Sequence, residues 1–243
     1  MKAVIRYLHH SSFSLQTEEH FLIFDYYLDT PKGSGFSKGV VDPDEIRDKN
    51  VVVFSSHSHP DHYSPKIFSW RKSISNIRYV LADEIHPPED ALKIAPGETL
   101  DLGDLTVHAL ESTDLGVAFL IHVDGLCVYH AGDLNWWHWE GELQEFNEDM
   151  GRRYREQVDT LRGEDIDIAF LTVDPRQEKN ALLGFNYFMK TIGAKAVVPM
   201  HSFGHTEFYE SLMDNPEFAV WKDRLLFYRN RGDSMTYSDV TTE

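Results

Sequence analysis

His57-Ser58-His59-Pro60-Asp61-His62 places three imidazoles and one carboxylate within six positions, directly after the apolar run 51–54. That run predicts a strand, and a loop at a strand end can turn its side chains toward one point. Borderline divalent ions such as zinc take histidine nitrogen and carboxylate oxygen as ligands. In an extended segment His57 and His59 share a side, while the adjacent Asp61 and His62 diverge, an arrangement that suits two neighbouring metals. A solitary histidine is ordinarily structural. Four ligand-type residues packed this closely read instead as a metal-binding loop.

Outward from this loop, the first half of the chain holds short apolar runs separated by turn signals. Strands are predicted at 2–7, 12–15, 21–24, 51–54, 77–81 and 105–110. Runs 117–123 and 126–130 flank Asp124-Gly125, a dipeptide suited to the positive φ angles of a type I′ hairpin. Ser64-Pro65 reads as an N-cap with proline at the first helical position, opening a short helix to about Arg71. Across 140–161 the residues Leu143, Phe146, Met150, Tyr154, Val158 and Leu161 recur at spacings of three and four, one face of an amphipathic helix. A strand at 168–173, a helix at 180–192 and a strand at 196–199 follow. The segment 30–39, TPKGSGFSKG, reads as a mobile surface loop. Strands in two groups with interspersed helices predict an α/β fold of two packed sheets covered on their outer faces.

The bulk numbers narrow the function. The 243 residues carry no internal repeat and no linker long enough to divide them, so residues 1–243 are expected to form one domain with a shared core. Forty acidic residues against 23 basic give a formal charge of −17, which disfavours nucleic acid and anionic membranes as partners. Bound cations would invert the local field and attract an anionic group. The opening MKAVIRYLHHSSFSL lacks a signal-peptide pattern, no stretch of about 18 apolar residues occurs, and one cysteine, Cys127, allows no intrachain disulfide. These features predict a cytoplasmic protein. Exposed aromatics would leave room for self-association into a homo-oligomer.

The loop sequence resembles the H-x-H-x-D-H signature of the metallo-β-lactamase superfamily, and the chain is similar to the branch that includes L-ascorbate-6-phosphate lactonases and related phosphodiesterases. The likeness extends through Leu8-His9-His10-Ser11-Ser12-Phe13, Leu22-Ile23-Phe24-Asp25, His130-Ala131-Gly132-Asp133 and Pro199-Met200-His201, in the order that branch shows. It implies an αββα four-layer sandwich and two divalent metal ions. By that resemblance His57 and His59 hold one ion, Asp61, His62 and His201 the other, and Asp133 bridges them. A hydroxide held between the ions would be the nucleophile, with Asp61 orienting it.

The family's third histidine for the first metal has no counterpart, since 109–116 reads Ala-Leu-Glu-Ser-Thr-Asp-Leu-Gly. Asp114 or Glu111 could supply an oxygen instead, which favours manganese or iron over zinc at that position; His108 is the other candidate but belongs to a strand. His10 stands near the expected pocket as a substrate-binding residue. His205 is read as a proton donor at the mouth or as a cap on the following helix. Trp136, in Asn135-Trp136-Trp137-His138-Trp139, is a candidate aromatic wall for substrate, and Arg176 a clamp for phosphate or carboxylate, with a structural salt bridge as the alternative.

These readings predict a metal-dependent hydrolase acting on a small anionic substrate, of the phosphorylated-lactone or phosphodiester class. The alternative is a metal-binding sensor or scaffold that lost turnover with its third histidine. Redox chemistry at a di-iron site ranks last, because such relatives carry a flavin-binding partner domain that this length does not accommodate.

Overall fold

Alternation in Lys2–His9 (β1) turns Ala3, Ile5 and Tyr7 inward, and Ser12–Gln16 (β2) pairs back on it antiparallel, Ile5 opposite Leu15. The computed structural model, which describes residues 1–239, continues this sheet through His20–Phe24 (β3), Asn50–Ser55 (β4), Ile77–Ala82 (β5) and Leu92–Ile94 (β6). From β3 to β6 the pairings are parallel. Val51, Val52, Val53 and Phe54 are all buried, as expected where both faces of a parallel strand are covered.

A second sheet begins with Thr99–Asp101 (β7), Leu105–Glu111 (β8), Val117–Val123 (β9) and Leu126–His130 (β10), all antiparallel neighbours. It ends with Ile168–Thr172 (β11) and Ala196–Met200 (β12), which add parallel to β10. Ser234–Ser238 (β13) returns to the first sheet and pairs antiparallel with β1, giving the orders β13-β1-β2-β3-β4-β5-β6 and β12-β11-β10-β9-β8-β7. The β9–β10 turn has positive φ at both Asp124 (49°) and Gly125 (77°), the I′ hairpin predicted from the dipeptide.

The inner faces meet through aromatic rings. Phe13 and Phe24 stand 5.0 and 5.8 Å from Phe170, and Phe54 stands 5.3 Å from Phe119. A 3-10 helix at Pro65–Lys72 covers the first sheet, with Tyr79 donating its hydroxyl proton to the Ile67 carbonyl; Ser64 caps it as expected, accepting from Lys66 N–H. Helices Gln144–Asp159 (α1) and Leu183–Thr191 (α2) cover the second sheet, joined by Tyr154 Oη donating to Gly184 O. The result is the predicted α/β sandwich of two sheets between helical layers. Among the described residues no helix is long and apolar enough to cross a membrane.

Two expectations need correction. The apolar stripe of α1 is buried only at its C-terminal end: Tyr154 and Val158 are in the core, whereas Phe146 is 39% and Leu143 75% exposed. The segment 30–39 is also less free than its composition suggests. Phe36 is buried, and the Arg231 guanidinium donates to the carbonyls of Leu28, Thr30 and Gly39, tying both ends of the segment down.

Candidate metal centre

The strand ends of both sheets converge at one edge of the sandwich. The loop after β4 brings His57, His59, Asp61 and His62; the loop after β10 brings Asp133; the end of β11 brings Asp174 and the end of β12 His201; the β1–β2 turn brings His10 and the β8–β9 turn Asp114. Ser56, the root of the histidine loop, is clamped between two glycines. A Cβ on Gly116 (φ 71°) would lie 2.0 Å from Ser56 O, and one on Gly132 (φ 52°) 2.7 Å from Ser56 Cβ. Only glycine permits both the positive φ and the close approach.

Two donor sets emerge. His57, His59, Asp114 and Asp133 form one; His10, His62 and His201 form the other, with the candidate ligand atoms of each set lying within 4.8 Å of one another. Asp133 stands between them. Its Oδ1 is 3.2 Å from His62 Nε2 and 3.1 Å from His201 Nε2, while its Oδ2 is 3.6 Å from His57 Nε2. Asp114, suggested as a replacement for the absent histidine, does reach the first set, with Oδ2 3.6 Å from His59 Nδ1. Glu111 faces Arg153 instead, and His108 bonds Thr99 on the sheet surface.

The other nitrogen of His57, His62 and His201 settles which atom of each faces the site. His62 Nδ1 donates to Asp25 Oδ2 at 2.8 Å, and His201 Nδ1 donates to Asp174 Oδ2 at 3.0 Å. His57 Nδ1 donates to Ser56 Oγ at 2.9 Å, and that hydroxyl donates onward to Asp25 Oδ2 at 2.7 Å. A ring whose Nδ1 carries the proton presents a lone pair at Nε2, the form a metal requires. The Nε2 atoms of His57, His62 and His201 and Oδ1 of Asp133 are all buried and without any hydrogen-bond partner. Burying so many unpaired acceptors is costly unless a cation joins them, so these residues fit divalent metal ions. Without metal, burial alone would raise the Asp133 carboxyl and lower the facing imidazoles, but Asp133 holds His62 up and His201 up to about 10, and these two cations hold the carboxyl well below the usual carboxylate range; a metal would take the place of their Nε2 protons. Burial and the neighbouring His62 push the His57 imidazole down to about 4, which keeps it unprotonated.

Asp25, Ser56 and Asp174 were not among the residues singled out by sequence reading as supports of the site. Asp25 is wholly buried, accepts from Ser56 N–H at 2.7 Å in addition to the contacts above, and holds φ at 45°. The one signal available was a carboxylate directly after an apolar strand, Phe24-Asp25 and Val173-Asp174, where a buried charge needs a purpose.

The remaining candidates are distributed unevenly. Asp61 sets its Oδ2 3.5 Å from His10 Nε2 and belongs to neither donor set here. Arg176 binds Asp174 through Nε and Nη2, the structural salt bridge, yet it also lines a cavity of about 360 Å³ shared with Asp114, Asp133, Trp137, Trp139 and Phe146. Its guanidinium lies 4.8 Å from the Phe203 ring centroid. Trp136 is not on that wall. It packs on α1, where a Cβ on Gly151 would touch its ring and the Arg155 guanidinium lies 4.5 Å from its centroid. The wall is made by Trp137 and Trp139, stacked at 5.6 Å, and by the exposed Phe146 end of α1. His205 is exposed and pairs with Glu207 at 3.2 Å rather than with a member of the cluster, and Thr206, not His205, occupies the cap position of the next helix.

Comparison with known proteins agrees with the fold. A family model described as a beta-lactamase superfamily domain matches residues 4–147. A UPF0173 metal-dependent hydrolase of Opitutus terrae is 33% identical over 148 residues, 53% of this chain and 62% of that protein, so less than two thirds of the relative's length is matched. Among solved structures, Igni18, a metallo hydrolase of Ignicoccus hospitalis, superposes with a TM-score of 0.64 at 16% identity, over 98% of this chain and all of that one. YhfI of Bacillus subtilis, a metallo-beta-lactamase fold protein, gives 0.60 at 13% identity over 97% and 100%. CmlA, a diiron beta-hydroxylase of Streptomyces venezuelae, gives 0.61 at 12% identity, over 96% of this chain and 53% of that one. At such identities these three speak to the fold alone.

Proposed function

Because the chain belongs to the beta-lactamase superfamily and has the metallo-β-lactamase fold, we propose that it is a metal-dependent hydrolase of small anionic substrates, with two divalent ions sharing Asp133. The observation that carries this reading is the group of buried, partnerless ligand atoms on His57, His62, His201 and Asp133. His57, His59 and Asp114 would hold one ion, and His62 and His201, with Asp61 beside them, the other. When bound, such ions lower the pKa of coordinated water and polarise the bond under attack. The carboxylate of Asp114 where relatives use histidine makes the first set harder and favours manganese or iron over zinc there.

The chain's own residues supply orientation. Asp25 and Asp174 fix the rings of His62 and His201, and the Ser56 hydroxyl relays the same carboxylate's hold to His57. Arg176 beside the cavity offers a cation to the anionic group, and Trp137, Trp139 and Phe146 offer flat apolar contact to the remainder. A phosphorylated lactone or a phosphodiester, the classes suggested by resemblance to the ascorbate-6-phosphate lactonase branch, combines those features. A panel of phosphodiesters, phosphorylated lactones and thioesters with the manganese- or zinc-loaded protein tests the proposal, with His62→Ala as control. Turnover confined to the wild type supports it. Equal background in both proteins refutes it, and metal retained without turnover selects the sensor alternative.

A further inference from the structure

His10 belongs geometrically to the second donor set, yet it is wired in the opposite sense to His57, His62 and His201. Its ring is wholly buried, with its centroid 3.9 Å from that of Phe203 and 4.0 Å from that of His201. The backbone N–H of Phe203 donates to His10 Nδ1 at 3.1 Å. An atom that accepts from a backbone N–H carries a lone pair and no proton, so the single proton of the ring is on Nε2. Turning the ring over would set a C–H against that N–H and leave the donor without its partner. His57, His62 and His201, by contrast, spend their Nδ1 protons on Ser56, Asp25 and Asp174 and present Nε2 lone pairs.

The backbone is shaped to hold this contact. His10, His201 and Phe203 all have positive φ (55°, 78° and 51°), a conformation side-chain-bearing residues rarely adopt and one that persists where surroundings enforce it. His10 N–H is itself anchored by the Tyr7 hydroxyl at 3.0 Å. The outcome is a buried Nε2–H without a hydrogen-bond partner, aimed at the point where His62 and His201 converge and 3.5 Å from Asp61 Oδ2.

We propose that His10 is a catalytic hydrogen-bond donor rather than a metal ligand, its Nε2–H binding an anionic oxygen of the substrate beside the His62–His201 set. The assignment rests on the hydrolase reading for the substrate, but the tautomer does not. For Nε2 to ligate a metal, its proton would have to move to Nδ1 and meet the Phe203 N–H head on. A donor fixed at this place selects substrates with a charged or developing negative oxygen and gains strength from burial.

The test begins with 15N-histidine-labelled protein, in which long-range proton–nitrogen spectra distinguish protonated from lone-pair ring nitrogens. Signals lost in His10→Asn identify the residue. The expected pattern is Nε2–H alone for His10 with and without metal, and in the zinc-loaded protein Nδ1–H for His57, His62 and His201; without metal the last two also carry an Nε2 proton toward Asp133. A proton on Nδ1 of His10 overturns the proposal. In the zinc-loaded proteins, His10→Asn should retain the wild-type zinc content while its calorimetric affinity for inorganic phosphate falls about tenfold or more, the loss expected for one charge-assisted hydrogen bond. Loss of a zinc equivalent would make His10 a ligand, and unchanged phosphate affinity would make its ring a packing element; either outcome overturns the assignment. If the wild type takes up neither zinc, manganese nor iron, the hydrolase reading fails, while the metal-free spectra still decide the tautomer.

Discussion

Replacing Asp25 by asparagine should weaken both donor sets, although Asp25 belongs to neither. Its Oδ2 accepts from His62 Nδ1 at 2.8 Å and from Ser56 Oγ at 2.7 Å, and Ser56 Oγ in turn accepts from His57 Nδ1 at 2.9 Å. An asparagine that keeps its oxygen on Ser56 N–H puts an NH₂ where Oδ2 was. His62 must then accept at Nδ1 and carry its proton on Nε2. The Ser56 hydroxyl, now accepting a hydrogen bond from the amide, donates to His57 Nδ1 and drives the His57 proton to Nε2 as well. One isosteric change thus reverses two tautomers and blocks one ligand atom in each set. Losing such an outer support typically costs 10- to 100-fold in metal affinity, about 1.4–2.7 kcal/mol for each ion. Competition with a chromophoric chelator measures this, with circular dichroism confirming the fold. Metal affinities unchanged in Asp25→Asn would refute the relay, and weakening of one ion alone would refute its Ser56 branch.

Gly116→Ala should destabilise the protein by about 2 kcal/mol or more, because its Cβ would overlap Ser56 O at 2.0 Å at a backbone angle alanine avoids; thermal melting reads the loss. For Asp124, burial would raise the carboxyl, but bonds from Thr17, His20 and Glu19 N–H lower it below its ordinary 3.8. A depressed folded pKa stabilises above the unfolded value and is lost as pH falls through it, so the wild type should lose stability below about pH 4. Asp124→Asn, which keeps a side chain tolerant of φ 49°, should show a flatter acid limb in denaturant titrations from pH 6 to 3. Burial pushes the Cys127 thiol up to about 12, so alkylation at pH 8 should be slow in the folded protein and rapid once it is unfolded.

Most of the framework was legible because apolar runs and turn residues carry it locally. Val117–Val123 and Leu126–His130 fall where alternation and Asp124-Gly125 place them. The short strands Leu92–Ile94 and Thr99–Asp101, and Ser234–Ser238 at the sheet edge, were missed, since three to five residues with partial burial leave little periodic signal. Residue type, order and the family resemblance singled out the histidine loop, Asp133, His201 and Asp114, which the structure brings to one edge of the sandwich. What sequence could not supply was direction. Trp136 and Trp137 are neighbours, yet one packs on α1 and the other lines the cavity. Nor do letters show that His10 and His62 face one point with opposite tautomers, because the Phe203 N–H and Asp25 that decide this come from other elements.

Metal content by elemental analysis of protein purified without chelator, beside Asp133→Ala and Asp114→Ala, tests the shared-carboxylate centre most directly. About two ions per chain in the wild type, a loss of one in Asp114→Ala and a deeper loss in Asp133→Ala are predicted from the placement of Asp114 in one set and of Asp133 between both. One ion or none, indifferent to both substitutions, would contradict it.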